Sequence, residues 1–214
     1  MENPHYYGCY ARFETSSKKD AGQLLGADNL VGDAFEIVFI TEKSDRIAWM
    51  KNRFGALVGF FDKATSRKLS LYEAKGWVLC ALLSFVAYSE SPAPGLYWGE
   101  AALMCYDPRQ KDAFLRFVTN TASRLSDGIR PAIDLGEGGI SQLLESGGEW
   151  MPAKRIPFPA KEAGTAILKS RRAFSEKMIE QARAGNKGCY VAGWAFLLAI
   201  VAALLFGLKA CGVF

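Results

Sequence analysis

Histidine is almost missing from this chain: His5 is the only one among 214 residues. Its scarcity removes the commonest general base and the commonest metal ligand from nearly the whole sequence. The five cysteines, Cys9, Cys80, Cys105, Cys189 and Cys211, include no C-x-x-C pair and have no companion histidine cluster, so no zinc spacing is present. Cys80 and Cys105 fall inside apolar runs and read as small core residues. Cys189 and Cys211 flank the last apolar run, where two small residues at a helix end are favoured over acylation sites. The opening MENPHYYGCYARFETSSKK has no basic n-region followed by a continuous apolar h-region, so it does not read as a signal peptide. No internal repeat is visible. Glycines 136, 138 and 139 in DLGEGGISQLL precede a helix, as in a phosphate cradle, but Glu137 lies among them and no Lys-Ser or Lys-Thr follows, which favours a plain turn. No cofactor and no metal are expected.

Charge is also missing where a membrane would exclude it. Cys189 to Leu208, CYVAGWAFLLAIVAALLFGL, contains no ionisable acid or base apart from its cysteine and tyrosine. As a helix it would reach ~30 Å, the thickness of a hydrocarbon core. A transmembrane helix over 189–208 is expected, with Tyr190 and Trp194 at the entering interface, Lys209 at the far one and a short tail over 209–214. Ala195, Ala199, Ala203 and Gly207 recur every fourth residue, a small-residue stripe along which two such helices would pack as a homodimer. The competing reading, a buried core helix, would ordinarily carry a polar side chain within that length. The other apolar run, Trp77 to Tyr88, is too short to cross a bilayer as a helix and reads as a fully buried strand.

Between the apolar run and the rest of the chain, residues 152–188 carry nine Lys and Arg against three Glu, a net of +6. By the positive-inside asymmetry this places the N-terminal domain on the cytoplasmic side of a single-pass, tail-anchored chain. Pro152, Pro157 and Pro159 mark a linker, and Ala160 to Ala184 reads as a basic amphipathic helix with Ile167, Phe174 and Met178 on one stripe. Lys169, Arg171, Arg172, Lys177, Arg183 and Lys187 are its expected contacts with anionic lipids of the bilayer.

Residues 1–151 then form one α+β domain with a net charge near −3. Strands are expected over Tyr6–Glu14, Phe35–Thr41, Arg46–Asn52, Phe54–Asp62, Trp77–Tyr88 and Leu96–Tyr106, the third and fourth as a hairpin. Residues 63–75 read as a helix stopped by Gly76, Gln110–Leu125 as an amphipathic helix stopped by Gly128, Ile129–Leu135 as strand-like and Ile140–Glu145 as a short helix. This order predicts a small antiparallel barrel or curved sheet with flanking helices.

Within it, the succession EIVFITE, IAWM and a glycine-containing strand ending Val58-Gly59-Phe60-Phe61, then a short helix and a long strand after a glycine, resembles the HIRAN family of small β-barrel modules over residues 35–106. Asp45 and Ala48 match two positions of that family's Asn-x-x-Asp-x-x-Ala segment, and the asparagine position does not match. The resemblance implies a barrel and binding of single-stranded DNA ends, and it assigns no residue here. Carboxylates Glu36, Glu42, Asp45, Glu100 and Asp134 show no spacing that pairs any two for acid/base work. Tyr97 and Trp98, after a proline turn, and Trp150, between GGE and MPAK, are the candidate contacts for a ligand or an unknown protein partner. The expected function is therefore a non-catalytic cytosolic binding domain held at a membrane. A membrane-tethered nucleic-acid-end binding module is the alternative that a basic groove would favour, and a membrane-associated enzyme is the alternative that a deep pocket with adjacent carboxylates would favour.

Overall fold

The chain divides into two compact units, Met1–Arg172 and Ala173–Phe214. The computed structural model describes residues 5–173 except 43, 92, 94, 161 and 162, together with residues 176 and 198. Of the second unit it shows that the Ala173 N–H donates to Glu176 Oε2 at 2.8 Å.

Among its described residues the first unit is built on seven antiparallel strands: β1 (Tyr6–Glu14), β2 (Ala34–Glu42), β3 (Asp45–Lys51), β4 (Leu57–Phe61), β5 (Val78–Ser89), β6 (Leu96–Tyr106) and β7 (Thr165–Lys169). Their order is β2-β3-β4-β1-β6-β5, and β2 returns to β5 through Ala34 opposite Leu82 and Phe35 opposite Ala81, which closes a six-stranded barrel. The seam is short because β5 divides its outer edge. Its first half receives β2, and Val86 to Ser89 receive β7.

Side-chain alternation explains what fills the barrel. Along β6, Ala101, Leu103 and Cys105 face the interior with Phe13, Phe35, Met50 and Phe61, while Ala102, Met104 and Tyr106 face outward onto helices. In β5 the register shifts between Leu83 and Phe85. Leu83 before the shift and Val86 after it both face the barrel, whereas Phe85 and Ala87 turn outward against Trp98, Phe158 and Ile167. A strand covered on both faces favours apolar residues at nearly every position, which is why β5 reads as an apolar run from Val78 to Tyr88 interrupted only by Ser84.

The helices start at their caps. The Ser17 side chain accepts from the Asp20 N–H at the head of α1 (Lys18–Leu25), and Asp62 accepts from the Thr65 N–H at the head of α2 (Lys63–Ala74). Leu24, Leu69 and Tyr72 from these two helices join the barrel interior. On the other wall, α3 (Lys111–Ser126) lays Phe114, Phe117, Val118 and Leu125 over β1, β5 and β6, and α4 (Glu137–Glu145) adds Ile140 and Leu143. The glycines at 138 and 139 belong to the first turn of α4, with Gly136 as its N-cap, so the glycine-rich run is helix.

Three expectations are corrected. Residues 129–135 are not a strand. Pro131 has no N–H to donate, and only a single bridge pairs it with Arg155, flanked by Ala132 N–H to Lys154 O and Ile156 N–H to Arg130 O. The proline-containing segment from 152 is not a free linker, since it lies along those residues and seats Phe158 against Phe85 at 5.6 Å. Nor does a helix begin at Ala160. Thr165–Lys169 is strand β7, Ile167 packs in the outer cluster, and the compact unit ends at Arg172 rather than 151. Sheet pairing with β5 satisfies the backbone of these residues and partly buries Ile167 in the outer cluster. Among the described residues no helix is long and apolar enough to cross a membrane, and the expected span at 189–208 lies outside them except for residue 198.

Two glycines mark close approaches. A side chain at Gly8 would drive its Cβ to 2.0 Å from the Ile133 carbonyl oxygen, where residues 129–135 press against β1. Gly32, at φ 85°, holds the barrel seam by donating its N–H to Leu83 O, and a Cβ there would lie 2.5 Å from Ala122 O.

Candidate functional site

Three clusters of polar and aromatic side chains lie on the first unit. One recess is a groove of about 440 Å³ between the β2–β3 turn and α2, lined by Ser44, Asp45, Arg46, Ile47, Lys63, Arg67, Ser70 and Leu71. β3 and α2 supply its charge from opposite sides. Arg46 bonds Glu73 at 2.8 Å and Ser70 Oγ at 2.9 Å while its guanidinium covers the Phe39 ring at 4.3 Å. Lys63 bonds Asp45 at 2.6 Å and, through that hydrogen bond, holds the carboxyl below its usual range. Arg67 adds a third cation to the lining, and Leu71, 64% exposed, presents an apolar patch beside it. Such a surface can receive an acidic chain, with guanidinium forks for oxyanions and a leucine for an apolar side chain.

The second cluster is a ladder of rings. Tyr7 stacks on Tyr72 at 5.0 Å and Tyr72 on Trp77 at 4.8 Å, while Lys68 lies 4.0 Å over Tyr7 and Lys75 lies over Tyr72 and Trp77. Burial, with the hydrogen bond its hydroxyl donates to Cys9 Sγ, pushes Tyr7 far above an ordinary phenol. The Cys80 thiol, deep in the sheet, is pushed up to about 12 by burial, and burial raises the Cys105 and Cys9 thiols too. Burial thus keeps these thiols in the protonated form at neutral pH, and the rings pack as a stacked ladder.

The third cluster surrounds Arg130, which is 3% exposed. Its guanidinium pairs with Glu100, donates to Pro157 O at 2.7 Å, and lies 4.3 Å from the Tyr10 ring, 5.1 Å from Phe158 and 5.4 Å from Phe85. Tyr10 in turn donates to Pro131 O at 2.8 Å. These contacts clasp residues 129–158 to the barrel wall.

The structure disperses most of the residues singled out from the sequence. Trp98 is 8% exposed, with its ring edge-on to Phe85, its Nε1 donating to Ser89 Oγ at 2.9 Å, and Arg12 stacked over it at 4.3 Å. Trp150 packs with α3 and α4. Tyr97 is half-buried and tilted against Tyr88 at 4.8 Å. Of the candidate carboxylates, Glu36 binds Lys51, Asp45 binds Lys63, Glu100 binds Arg130 and Asp134 is exposed, while Glu42 is the register partner of Asp45 across β2 and β3. Among the described residues no three His, Cys, Asp or Glu side chains come together to hold a metal.

The expected row of lipid-facing cations is also broken up. Lys169 donates to the carbonyls of Gly26 and Asn29 at 3.1 and 2.8 Å, and Arg172 binds Val31 O and the Asp33 carboxylate at 2.7 and 2.9 Å. Both charges are used inside the fold, while Arg171 beside Gly128 is exposed. Lys177, Arg183, Lys187, Tyr190, Trp194, Ala195, Ala199, Ala203, Gly207 and Lys209 lie outside the described residues.

The groove was missed because its cations come from β3 and α2 and meet only in the fold. The one local signal was Lys63 and Arg67 four apart, with Leu71 four further on, a single face of α2. Architecture and surface together define an α+β barrel module with a basic groove. In comparison with known proteins, the chain matches no family model, no curated protein and no solved structure.

Proposed function

We propose that this protein is a membrane-held binding module whose barrel domain receives an acidic protein segment in the groove between β3 and α2. The observation that carries this reading is the convergence of Arg46, Lys63 and Arg67 around a recess bordered by the exposed Leu71. Anchoring is supported by the uncharged run 189–208, which is long enough to span a hydrocarbon core. Cytoplasmic placement rests on the nine Lys and Arg over residues 152–188 that precede that run. The test compares what co-purifies with the detergent-extracted full chain and with its Arg67→Glu and Leu71→Asp variants. A partner lost from both variants supports the groove as its seat, and a partner retained by both rejects it.

The nucleic-acid reading keeps one specific support. The basic groove falls inside residues 35–106, the stretch that resembles HIRAN modules. Anisotropy with a labelled single-stranded oligonucleotide distinguishes the two: salt-sensitive binding abolished by Arg67→Glu favours the nucleic acid.

A further inference from the structure

A second recess, of about 270 Å³, lies between the end of α3 and the paired segments around Pro131 and Arg155. Two arginines line it, Arg124 from the last turn of α3 and Arg155 from the segment opposite. Neither guanidinium has a hydrogen-bond or ion-pair partner among the described residues, and no carboxylate lines the recess. That distinguishes it from the groove at α2, where Asp45 and Glu73 already engage two of the cations. The remaining lining is mostly apolar, with Ile129, Pro131, Met151 and Pro152.

A helix C-terminus would ordinarily repel an anion. Here the final carbonyls are occupied. Arg124 O accepts from Asp127 and Ile129, Leu125 O from Gly128, and Ser126 O from the Arg172 backbone N–H at 2.9 Å. What faces the recess is therefore the guanidinium charge. Two uncompensated forks match a dianion, and a phosphomonoester carries about −1.5 to −2 charges on three acceptor oxygens at neutral pH. A carboxylate balances only one of them. The apolar lining suits a compact hydrophobic group attached to the phosphate.

We infer that the recess between Arg124 and Arg155 binds a phosphomonoester on an apolar body. The source of that group is either a soluble metabolite or the headgroup of a monoester phospholipid. The test is calorimetric titration of the full chain in nonionic detergent with phenyl phosphate, inorganic phosphate and benzoate. Phenyl phosphate should bind saturably and more tightly than either of the others. The Arg124→Gln and Arg155→Gln variants should each weaken it roughly tenfold, the loss of a charge-assisted contact. Both arginines are exposed, so the variants should keep the wild-type urea midpoint. If either unfolds, charge-conserving Arg155→Lys, expected to bind more weakly for want of the planar fork, serves in its place. Competition by nanodiscs containing phosphatidic acid assigns the lipid source, and its absence assigns the soluble one. Absence of saturable binding, affinity unchanged in all the variants, or benzoate binding as tightly as phenyl phosphate overturns the inference.

Discussion

Arg130 shows how much of this fold depends on one cation. Its partner Glu100 comes from the middle of β6, and its carbonyl contact, Pro157, comes from the segment beyond α4. Removing the arginine leaves a largely buried carboxylate without its counterion. Full burial would make that loss ~3–5 kcal/mol, and because Glu100 keeps 17% of its side-chain surface the expected cost of Arg130→Met is nearer ~2–3 kcal/mol. Adding Glu100→Gln should recover most of it, since the stranded charge is then gone. Urea unfolding of the single and double variants measures both values, and a single variant within ~0.5 kcal/mol of wild type would refute the clasp. Asp107 gives a pH-dependent counterpart. Hydrogen bonds from Arg109, at 2.5–3.1 Å, hold its carboxyl down at about 2. A depressed carboxyl stabilises above the unfolded value of ~3.9, and that stabilisation disappears as pH falls through the folded value. Asp107→Asn keeps the cap to the Arg109 N–H but removes the charge, so its urea midpoint should fall below wild type at neutral pH. The gap should close between about pH 4 and pH 2. A gap constant across pH would mean that shape, and not charge, is what the position supplies.

Among the elements, β7 has the largest effect for its five residues. It extends the sheet on β5, and its last residue and those after it reach across the two-pair seam of β2 with β5. Lys169 takes the carbonyls of Gly26 and Asn29, and Arg172 takes Val31 O and Asp33. The loop so held contains Gly32 and Asp33, whose backbone bonds to Leu83 continue the two-pair junction of β2 with β5. Lys169→Met and Arg172→Met should therefore speed amide exchange at Gly32 and Leu83 by roughly tenfold or more, the effect of losing charge-assisted bonds. Exchange at the paired amides of β1 and β6 should stay unchanged, and equal acceleration throughout would show global weakening in place of a seam. This arrangement also marks where the sequence stopped being legible. β1 and β6 lie at the residues expected, because long aromatic and β-branched runs end at clear turn signals. β7 was hidden because, over five residues, Ile167 faces inward whether the period is 2 or 3.6, and the basic residues around it suggested a helix face. Closure was hidden for another reason. Only Ala34 and Phe35 meet β5, so nothing periodic announces a barrel in place of a curved sheet. The groove at α2 and the Arg124–Arg155 recess both join cations distant in the chain, and spacing carries no record of such contacts.

At the scale of the whole molecule, moving the end of the compact unit from 151 to 172 redistributes the charge. Residues 1–172 hold 22 Lys and Arg against 20 Asp and Glu, a net of +2 where −3 was expected for the shorter domain. The stretch 173–188 retains three basic residues and two acidic ones, so half of the six cations assigned to lipid contact, Lys169, Arg171 and Arg172, belong to the folded unit. Two truncations test this division. A chain ending at Arg172 keeps Phe158 and Ile167 on Phe85 and the four contacts of Lys169 and Arg172, and should fold with nearly the urea midpoint of the same unit in the full chain. A chain ending at Met151 loses all of these. It uncovers Phe85 and Trp98 and removes the Pro157 acceptor of Arg130, with ~1.5–3 kcal/mol at stake for each large apolar side chain. Set against the modest stability of an ordinary domain, this shorter chain should be molten or unfolded. If it melts as cooperatively as the longer one, the segment from 152 to 172 is an accessory and the boundary at 151 is right. Fractionation of the same two chains bears on the anchor. The chain ending at Arg172 should leave the membrane pellet while the full chain stays, and its retention after a high-salt wash would mean that the barrel unit itself holds lipid.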